Sequence, residues 1–275
     1  MKKDLPIFII VGAMKSGTTT LHQLIVHHPN IAIAANELHF FDREKNFQKG
    51  LEWYYSKLSE TATADTLIIG EKTPTYSFVE HIPGKIHENL PAAKLIWIFR
   101  NPIDRAYSNY WHAVTAGVEP SGFEYAVRNE KKRMQKNIFH GYLNRSLYHE
   151  QVERYLEFFP STQMHYIIFE DLIQNPEAEL GRLFDFLDIP ADGNSPVQQH
   201  ANKSSYPAWP WSVATAKKIF GGESRIYKFI LQKNISFGKK KRMNQELRKE
   251  LVKYFREPNE KLADLIGVDT RGWNK

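Results

Sequence analysis

The sequence predicts an α/β fold: a single domain, residues 1–275, in which a central parallel sheet is flanked by helices. Three observations predict it. Short apolar runs, typical of buried strands, alternate with amphipathic stretches typical of helices. A glycine-rich loop follows the first apolar run directly and leads into a helix, an arrangement that resembles a P-loop. The 275 residues, 42% of them hydrophobic, are enough for one large domain with a substantial core.

The elements can be assigned in order along the first two thirds of the chain. Each strand is expected where a short apolar run is bounded by glycine, proline or charged residues. The predicted strands are Ile7–Val11, Ile31–Ala35, Thr66–Gly70, Lys94–Phe99 and His165–Phe169. The predicted helices begin at Thr18 and at Pro102, where proline suits the first helical position, and cover Leu51–Leu58, Tyr148–Phe158 and Ala178–Leu187. Strands joined through helices imply a parallel sheet with crossover connections.

The last third of the chain has a different character. Residues 190–240 are rich in Pro, Ser, Gly and Trp without clear periodicity, which predicts a loop-rich segment that orders around ligands. Trp209 and Trp211 of this segment can stack on sugar rings or anchor a loop to the core. Residues 244–266 are then predicted to form two short C-terminal helices that are divided at Pro258.

Composition narrows the classes of function. The chain has 37 Lys and Arg against 31 Asp and Glu, a net charge of +6, which favours an anionic partner such as a nucleotide, acidic glycan, nucleic acid or membrane surface. The chain has no cysteine, which excludes a disulfide framework, an iron–sulfur site and a thiol nucleophile. The 11 histidines lack the spacing of metal ligands, and we therefore expect no metal.

The N-terminus combines two features of a signal peptide, a basic start and a short apolar run. Asp4 and Pro6 interrupt that run, and no small-residue cleavage site follows it. A buried strand that ends in a functional loop explains the segment better. No stretch approaches the roughly 20 apolar residues of a membrane-spanning helix. We therefore expect no membrane span and a cytoplasmic protein.

The loop after the first predicted strand has the glycine spacing of a Walker A motif, with Gly12 and Gly17 five positions apart. Strand, loop and helix N-terminus together form an anion cradle, because backbone N–H groups and the helix dipole favour negative charge there. A Walker A lysine would follow the second glycine, but Thr18 stands there and Lys15 lies inside the loop. The pattern therefore predicts a phosphate site other than that of a standard kinase.

Two segments carry a resemblance to a known family. Gly12–Leu21 (GAMKSGTTTL) resembles the 5′-phosphosulfate loop of sulfotransferases, which use 3′-phosphoadenosine-5′-phosphosulfate (PAPS). Arg100–Trp111 (RNPIDRAYSNYW) resembles their 3′-phosphate motif, in the expected order. Further similarity lies in Glu37–Asp42 (ELHFFD), in Gly70–Pro74 (GEKTP), in Phe169–Leu172 (FEDL) and in the C-terminal helices. The resemblance is strongest to the heparan-sulfate-type and bacterial glycan sulfotransferases, and it covers most of the chain outside residues 190–235.

The resemblance implies which residues bind the donor. Lys15, Ser16, Gly17, Thr18 and Thr19 would hold the 5′-phosphosulfate, and Lys15 would offset charge on the leaving phosphate. Arg100 and Ser108 would hold the 3′-phosphate, for which a guanidinium suits because it donates two parallel hydrogen bonds. A basic loop closes over the nucleotide in relatives; here Lys239, Lys240 and Lys241 stand in its place. The segment lacks the Lys-Gly-Arg-x-His-Pro pattern of the animal enzymes, which leaves open which lysine contacts the donor.

The resemblance also implies the catalytic and acceptor-binding residues. Glu37 is the candidate general base; we expect Phe40 and Phe41 to shield its carboxylate and to raise its pKa. His39 is the rival base, because small-molecule sulfotransferases use a histidine, and is otherwise expected to bind or pack on the acceptor side. Lys72 is expected to approach the transferring group, the alternative being a surface ion pair with its neighbour Glu71. Tyr142 and Arg145 resemble residues that line the acceptor cleft.

The implied activity is transfer of a sulfuryl group from PAPS to a hydroxyl or amine of an acceptor, a glycan or another hydroxylated small molecule. The product PAP would leave, without a metal and without a nucleic-acid partner. Two other classes of function remain as alternatives. A P-loop nucleotide or small-molecule kinase would bind ATP with Mg²⁺. A non-catalytic polyanion-binding protein would show steep salt dependence and no donor specificity.

Overall fold

A computed structural model of the chain describes residues 5–191, 206–237 and 242–274. Its strands form one all-parallel sheet, as predicted, in the order β2-β3-β1-β4-β5. The strands are β1 Ile7–Gly12, β2 Ile31–Ile33, β3 Ile68–Lys72, β4 Lys94–Phe99 and β5 Met164–Ile168. Because β1 lies between β3 and β4, the carboxyl ends of these three strands are neighbours at one edge of the sheet.

Helices connect and follow the strands. The helices are α1 Thr18–Ile25, α2 Glu44–Phe47, α3 Gly50–Leu58, α4 Ile82–Asn89, α5 Pro102–Thr115, α6 Phe123–Arg128, α7 Glu130–Met134, α8 Tyr148–Leu156, α9 Phe169–Gln174, α10 Pro176–Leu187, α11 Pro210–Phe220, α12 Arg225–Phe237 and α13 Gln245–Ile266. In the part of the chain that the structure describes, four 3-10 turns accompany them, at Ile138–His140, Asn144–Ser146, Ser161–Gln163 and Arg271–Asn274. Within the described ranges, no helix combines the length and the apolar character that crossing a membrane requires. The expected cytoplasmic location stays a prediction.

The chain divides into two compact units, and each has its own core. The first unit comprises residues 1–100 and 148–201 and contains the whole sheet. Its core is aliphatic where β1 and β4 pack on helices: Phe8, Ile10, Ile96 and Ile98 are completely buried against α1 and α10. The second unit comprises residues 101–147 and 202–275. Its core is aromatic and includes Tyr110, Trp111, Phe123, Tyr142 and Phe255.

The expectation of a loop-rich segment over 190–240 is wrong for residues 210–237, which form α11 and α12. The two helices pack on each other, and their side chains Val213, Ala216 and Tyr227 form a small buried cluster. Tertiary packing of this kind stabilises short helices whose sequences show little periodicity. Residues 192–205 and 238–241 lie outside the described residues.

The C-terminal helix and the third strand also differ from the prediction. The C-terminal segment is one helix, α13, which continues through Pro258. Its buried side chains Leu247, Leu251, Phe255 and Leu262 lie on both sides of the proline, and burial of that face outweighs the lost hydrogen bond. The third strand is shifted towards the C-terminus and includes Glu71 and Lys72, because its residues pair in register with β1 as far as Ile10.

Candidate functional site

The loop between β1 and α1 requires glycine at both predicted positions. Gly17 has a φ of 104°, and a Cβ there would lie 2.2 Å from a ring carbon of Phe169. A Cβ on Gly12 would lie 2.4 Å from Ser77 Oγ. No side chain caps the N-terminus of α1, so the first backbone N–H groups of that helix remain available to an anion. The loop thus has the backbone form of a phosphate cradle.

Arg100, the residue after β4, lies against this loop. Its Nη1 is 3.5 Å from the Lys15 carbonyl oxygen, and its guanidinium lies 5.2 Å from the centre of the Phe169 ring. Tyr148 of α8 donates from Oη to the Arg100 carbonyl, at 3.0 Å, and lies 3.5 Å from Oγ of the buried Ser16. The structure therefore brings Lys15, Ser16 and Arg100 together, as the sequence predicts.

The electrostatics of Lys15 reflect these neighbours. Burial lowers its pKa, and the charge of Arg100 lowers it further, while the charge of Glu37 acts in the opposite direction. Two cations held this close repel each other, and an anion between them relieves that repulsion. The loop is therefore electrostatically suited to a multiply charged phosphate ester.

Lys72, at the carboxyl end of β3, bridges two other predicted residues. Its Nζ donates to Thr19 Oγ1 at 3.3 Å and lies 3.4 Å from Glu37 Oε1. The Lys72 side chain is only 11% exposed. It does not form the surface ion pair with Glu71 considered as the alternative, since Glu71 is buried and bonded elsewhere. Thr19, Glu37 and Lys72 form one contact chain, which we call the strand-end cluster.

His39 lies between two carboxylates. Its Nδ1 is 2.9 Å from Asp42 Oδ2, and its Nε2 is 3.5 Å from Glu37 Oε2. The hydrogen bond to Asp42, with that to Glu37, raises the pKa of His39 to about 9. At neutral pH the ring is an imidazolium that has no lone pair with which to accept a proton. This charge state disfavours His39 as the general base and leaves Glu37 as the acceptor of its hydrogen bond.

The pKa of Glu37 was expected to be raised, and that expectation is wrong. Burial of the carboxylate raises its pKa, but the hydrogen bond from His39 and the charge of Lys72 outweigh burial and leave the pKa below its ordinary value. Phe40 and Phe41, which were expected to shield the carboxylate, belong to an aromatic cluster. Both are completely buried and pack on each other and on Tyr54.

The buried carboxylate of Glu71, next to Lys72, was not predicted from the sequence. Glu71 of β3 is fully buried and accepts hydrogen bonds from Tyr54 Oη at 2.8 Å, Thr73 Oγ1 at 2.6 Å and Tyr76 Oη at 3.1 Å. Burial raises the pKa of Glu71, while the three hydroxyls lower it. The available signal was its place inside a buried strand, where an acidic side chain needs hydrogen-bond donors.

The same hydroxyls anchor the segment that carries Glu37. Thr73 Oγ1 accepts a hydrogen bond from the His39 backbone N–H at 3.3 Å. Tyr76 Oη accepts from the backbone N–H groups of Phe40 and Phe41, at 2.8 and 3.2 Å. His39 itself has a φ of 48°, a left-handed conformation that such anchoring can hold. A buried hydrogen-bond network therefore fixes the backbone beside the cluster.

The acceptor-side and 3′-phosphate residues of the second unit stay predictions. Ser108 is half-buried on α5. Tyr142 is buried and donates to Glu119 Oε2 at 2.8 Å, and Arg145 is buried with its guanidinium 5.2 Å from the Phe139 ring centre. Such burial gives both side chains a structural role in their own unit.

The donor-side lysines Lys239, Lys240 and Lys241 lie outside the described residues. Across residues 5–191, 206–237 and 242–274, no group of three or more acidic or histidine side chains is arranged to hold a metal ion. The expectation of a metal-free reaction is not tested by that finding and stays a prediction.

Comparison with known proteins identifies relatives by sequence. Human heparan sulfate glucosamine 3-O-sulfotransferase 5 is 31% identical over 191 residues, which cover 68% of this chain and 55% of that protein. Human heparan sulfate glucosamine 3-O-sulfotransferase 3B1 is 33% identical over 187 residues, covering 68% of this chain and 47% of that protein. The chain thus spans about half the length of the curated relatives it matches.

Solved structures share the fold along nearly the whole chain. A sulfotransferase from Alicyclobacillus acidocaldarius superposes with a TM-score of 0.71 at 25% identity, over 98% of this chain and 99% of that one. Mouse sulfotransferase SULT7A1 complexed with PAP gives 0.52 at 14% identity, over 96% and 88%, which supports the fold alone. The family described as sulfotransferase domain matches residues 5–265. With its glycine loop, parallel sheet and near-complete family match, this chain belongs to the sulfotransferase family.

Proposed function

We propose that this chain transfers a sulfuryl group from PAPS to a hydroxyl or amine of a carbohydrate acceptor and releases PAP. The observation that carries the proposal is the strand-end cluster, in which Lys72 contacts both Thr19 and Glu37. In this proposal the ammonium of Lys72 would contact the transferring group, and the neighbouring Glu37 carboxylate would accept the acceptor proton. Transfer of a charged group by in-line displacement needs both.

The residues of the first unit suit the donor. The uncapped N-terminus of α1 and the ammonium of Lys15 would bind the 5′-phosphosulfate. Arg100 lies on the loop and would bind a further phosphate, the 3′-phosphate in our proposal, together with Ser108. Burial and the charge of Arg100 both lower the pKa of Lys15, and the repulsion between the two cations favours a ligand with two anionic groups.

Glu37 would act as the general base. It accepts the proton of the acceptor hydroxyl while that oxygen forms a bond to sulfur and the bond from sulfur to the phosphate oxygen breaks. The electron pair leaves with PAP, and Lys15 and Lys72 stabilise the charge that develops there. His39, held protonated by Asp42, donates to Glu37 and keeps its carboxylate ionised until the proton arrives.

The contact between Lys72 and Thr19 favours sulfuryl transfer over the kinase alternative. In a P-loop kinase the hydroxyl at this position binds Mg²⁺. Here that hydroxyl accepts a hydrogen bond from an ammonium group, which supplies positive charge at the place where Mg²⁺ would bind. A polyanion-binding protein without activity would need neither this lysine nor the ionised Glu37 beside it.

A carbohydrate acceptor is supported by the names of the relatives, which are heparan sulfate glucosamine 3-O-sulfotransferases. We extend the acceptor class, a glycan, to this chain and leave the sugar and the position open.

The test is a transfer assay with the purified protein, PAPS and a panel of glycans, in the presence of a metal chelator. We expect formation of PAP together with a glycan that gains one sulfuryl unit. A chelator-resistant reaction supports the proposal. Phosphoryl transfer from ATP that requires Mg²⁺, without any use of PAPS, would overturn it in favour of a kinase.

A further inference from the structure

The helical pair α11–α12 exposes an unusual amount of apolar surface. Of the fifteen large hydrophobic side chains that are exposed in the described part of the chain, seven lie between residues 209 and 237. We call them, with the basic residues of 206–237, the hairpin surface. Its apolar members are Trp209, Trp211, Ile219, Phe220, Ile226, Phe229 and Phe237. Soluble proteins rarely keep such a concentration exposed unless it binds something.

Helices α11 and α12 form a hairpin whose inner side is already packed. Val213, Ala216 and Tyr227 are buried on that side. Asn234 closes the open end, since its Oδ1 accepts from the Trp209 N–H at 2.9 Å and its Nδ2 donates to Ser212 Oγ at 3.0 Å. The exposed apolar side chains are therefore not needed to hold the two helices together.

The exposed side chains of α12 follow helical spacing. Ile226, Phe229 and Phe237 lie three and eight positions apart, which places them along one face of the helix. Lys233 lies among them, with Nζ 5.7 Å from the centre of the Phe229 ring. The Trp209 ring is 6.1 Å from that of Phe237, so the apolar strip continues across the open end of the hairpin.

The same segment carries most of the chain's net charge. Residues 206–237 contain five basic side chains and one acidic one, a net charge of +4 out of +6 for the whole chain. The acidic residue, Glu223, is paired with Lys228 at 2.8 Å. Lys218, Arg225 and Lys233 are exposed. The surface thus combines aromatic and aliphatic side chains with unneutralised cations.

We propose that the hairpin surface docks this protein on a bilayer that contains anionic phospholipids. Tryptophan, phenylalanine and isoleucine side chains enter the headgroup and upper acyl region, and lysine and arginine contact the anionic headgroups. A polysaccharide would neutralise the cations but would leave the side chains of Ile219, Ile226 and Phe229 exposed to water. A second copy of the chain would cover the apolar strip but would bring two strongly positive surfaces together. None of the residues of this surface takes part in the proposed reaction, and this inference does not rest on that reaction.

The test is co-sedimentation of the full chain with vesicles. One set contains phosphatidylcholine with about 30% phosphatidylserine, and the other contains phosphatidylcholine alone. We expect binding to the first set, at least about tenfold weaker binding to the second, and loss of binding as salt is raised. Absence of binding to the anionic vesicles at low salt would overturn the proposal.

Matched variants separate the contributions of the apolar and the charged side chains to vesicle binding. Ile226→Ser with Phe229→Ser, and separately Lys218→Glu with Lys233→Glu, should each weaken vesicle binding at least about tenfold. The controls are Ile138→Ser with Phe139→Ser, two exposed apolar residues elsewhere, and Lys132→Glu with Lys253→Glu. Both controls should bind vesicles like the wild type. Thermal melting of each variant verifies that it is folded.

Other occupants of the surface give distinct results. If a soluble sulfated polysaccharide binds the protein and the Ile226→Ser and Phe229→Ser changes do not weaken vesicle binding, the surface is a polyanion site and the proposal fails. If the wild type forms dimers that these apolar changes dissociate, the surface is an interface between copies and the proposal fails as well. Sedimentation velocity without vesicles measures the second outcome.

Discussion

The strand-end cluster of the first unit and the hairpin surface of the second differ in how their charged side chains are paired and how far they are exposed. In the cluster, Lys72 contacts Glu37 and Thr19, and Glu37 also contacts His39. Beneath them the buried Glu71 accepts three hydrogen bonds. On the hairpin, Lys218, Arg225 and Lys233 are exposed beside exposed phenylalanine and isoleucine side chains.

This difference distinguishes a site built for chemistry from a surface built for contact. Partly buried charges that are each paired hold a fixed geometry, and a small change in one partner is felt by the others. Exposed charges and apolar groups on a helix are nearly independent of one another and cost little to replace. The two regions should therefore respond very differently to substitution, which the following experiments measure.

The largest effect should come from Glu37→Gln. Loss of the general base should reduce turnover on the order of 10³-fold, whereas PAP binding should stay close to that of the wild type because the change leaves the phosphate loop intact. Steady-state kinetics and calorimetric titration with PAP measure the two quantities. The control is Glu44→Gln, whose carboxylate is exposed. Equal loss of PAP affinity and turnover in Glu37→Gln would make this residue a donor-binding or structural group instead.

Gly17→Ala should rank second. The residue has a φ of 104°, and the added methyl group would collide with Phe169, so we expect the free energy of unfolding to fall by at least about 2 kcal/mol. Gly181→Ala is the matched control, because it lies in α10 with open space around it and should stabilise the protein by up to about 1 kcal/mol. Urea unfolding compares them. A Gly17→Ala protein as stable as the wild type would refute the close packing of this loop.

Tyr76→Phe should rank third. It removes one donor to the buried Glu71 and leaves the N–H groups of Phe40 and Phe41 without their acceptor. Unsatisfied buried polar groups cost about 1–3 kcal/mol, and the fixed backbone beside Glu37 should loosen, so both stability and turnover should fall. Tyr125→Phe, at an exposed tyrosine, should change neither. A Tyr76→Phe variant that keeps full turnover would show that the network does not position the base.

The pH dependence of stability should come next. His39 has a pKa of about 9 in the folded chain against 6.5 for a free histidine, because of its carboxylate partners. A raised pKa of a base means that its contribution to the free energy of unfolding is complete below about pH 6.5 and is lost as the pH rises through about 9. Urea unfolding across this window should show that decline in the wild type and in the exposed control His27→Gln. The same decline in His39→Gln would assign it to another group.

The smallest effect should come from the hairpin. Phe229→Ser and Lys233→Glu should each change the free energy of unfolding by less than about 0.5 kcal/mol, because both side chains are exposed. Urea unfolding measures this directly. Asn234→Ala is the contrasting variant, since it removes the two side-chain hydrogen bonds at the open end and should cost about 1–2 kcal/mol. Strong destabilisation by Phe229→Ser would mean that the apolar strip is part of the core.

Local patterns predicted the elements whose signal lies in consecutive residues. Lys94–Phe99 has the predicted bounds because an uninterrupted apolar run has only one place in a parallel sheet. The glycines of the phosphate loop were identified by spacing, and the structure supplies the steric reason in Phe169 and Ser77. The sheet then brings Glu37 and Lys72 together, although 34 residues separate them in the sequence.

Features that depend on tertiary contacts could not be predicted from the sequence. Helices α11 and α12 form because they pack on each other, and α13 continues through Pro258 because its buried face does. Burial raises the pKa of Glu37, but His39 and Lys72 together lower it below its ordinary value, and no local pattern reveals which neighbours fold against a carboxylate. Two of the three donors to Glu71 come from Tyr54 and Tyr76, which lie 17 positions before it and 5 after it.

One titration tests the central claim most directly: thermal melting of the wild-type protein with PAP, with ADP, and with ATP plus Mg²⁺. A ligand that binds only the folded chain raises Tm with its concentration. We expect a concentration-dependent rise in Tm with PAP in the presence of chelator, a smaller one with ADP, and none with ATP plus Mg²⁺. A rise with ATP plus Mg²⁺ and none with PAP would contradict it.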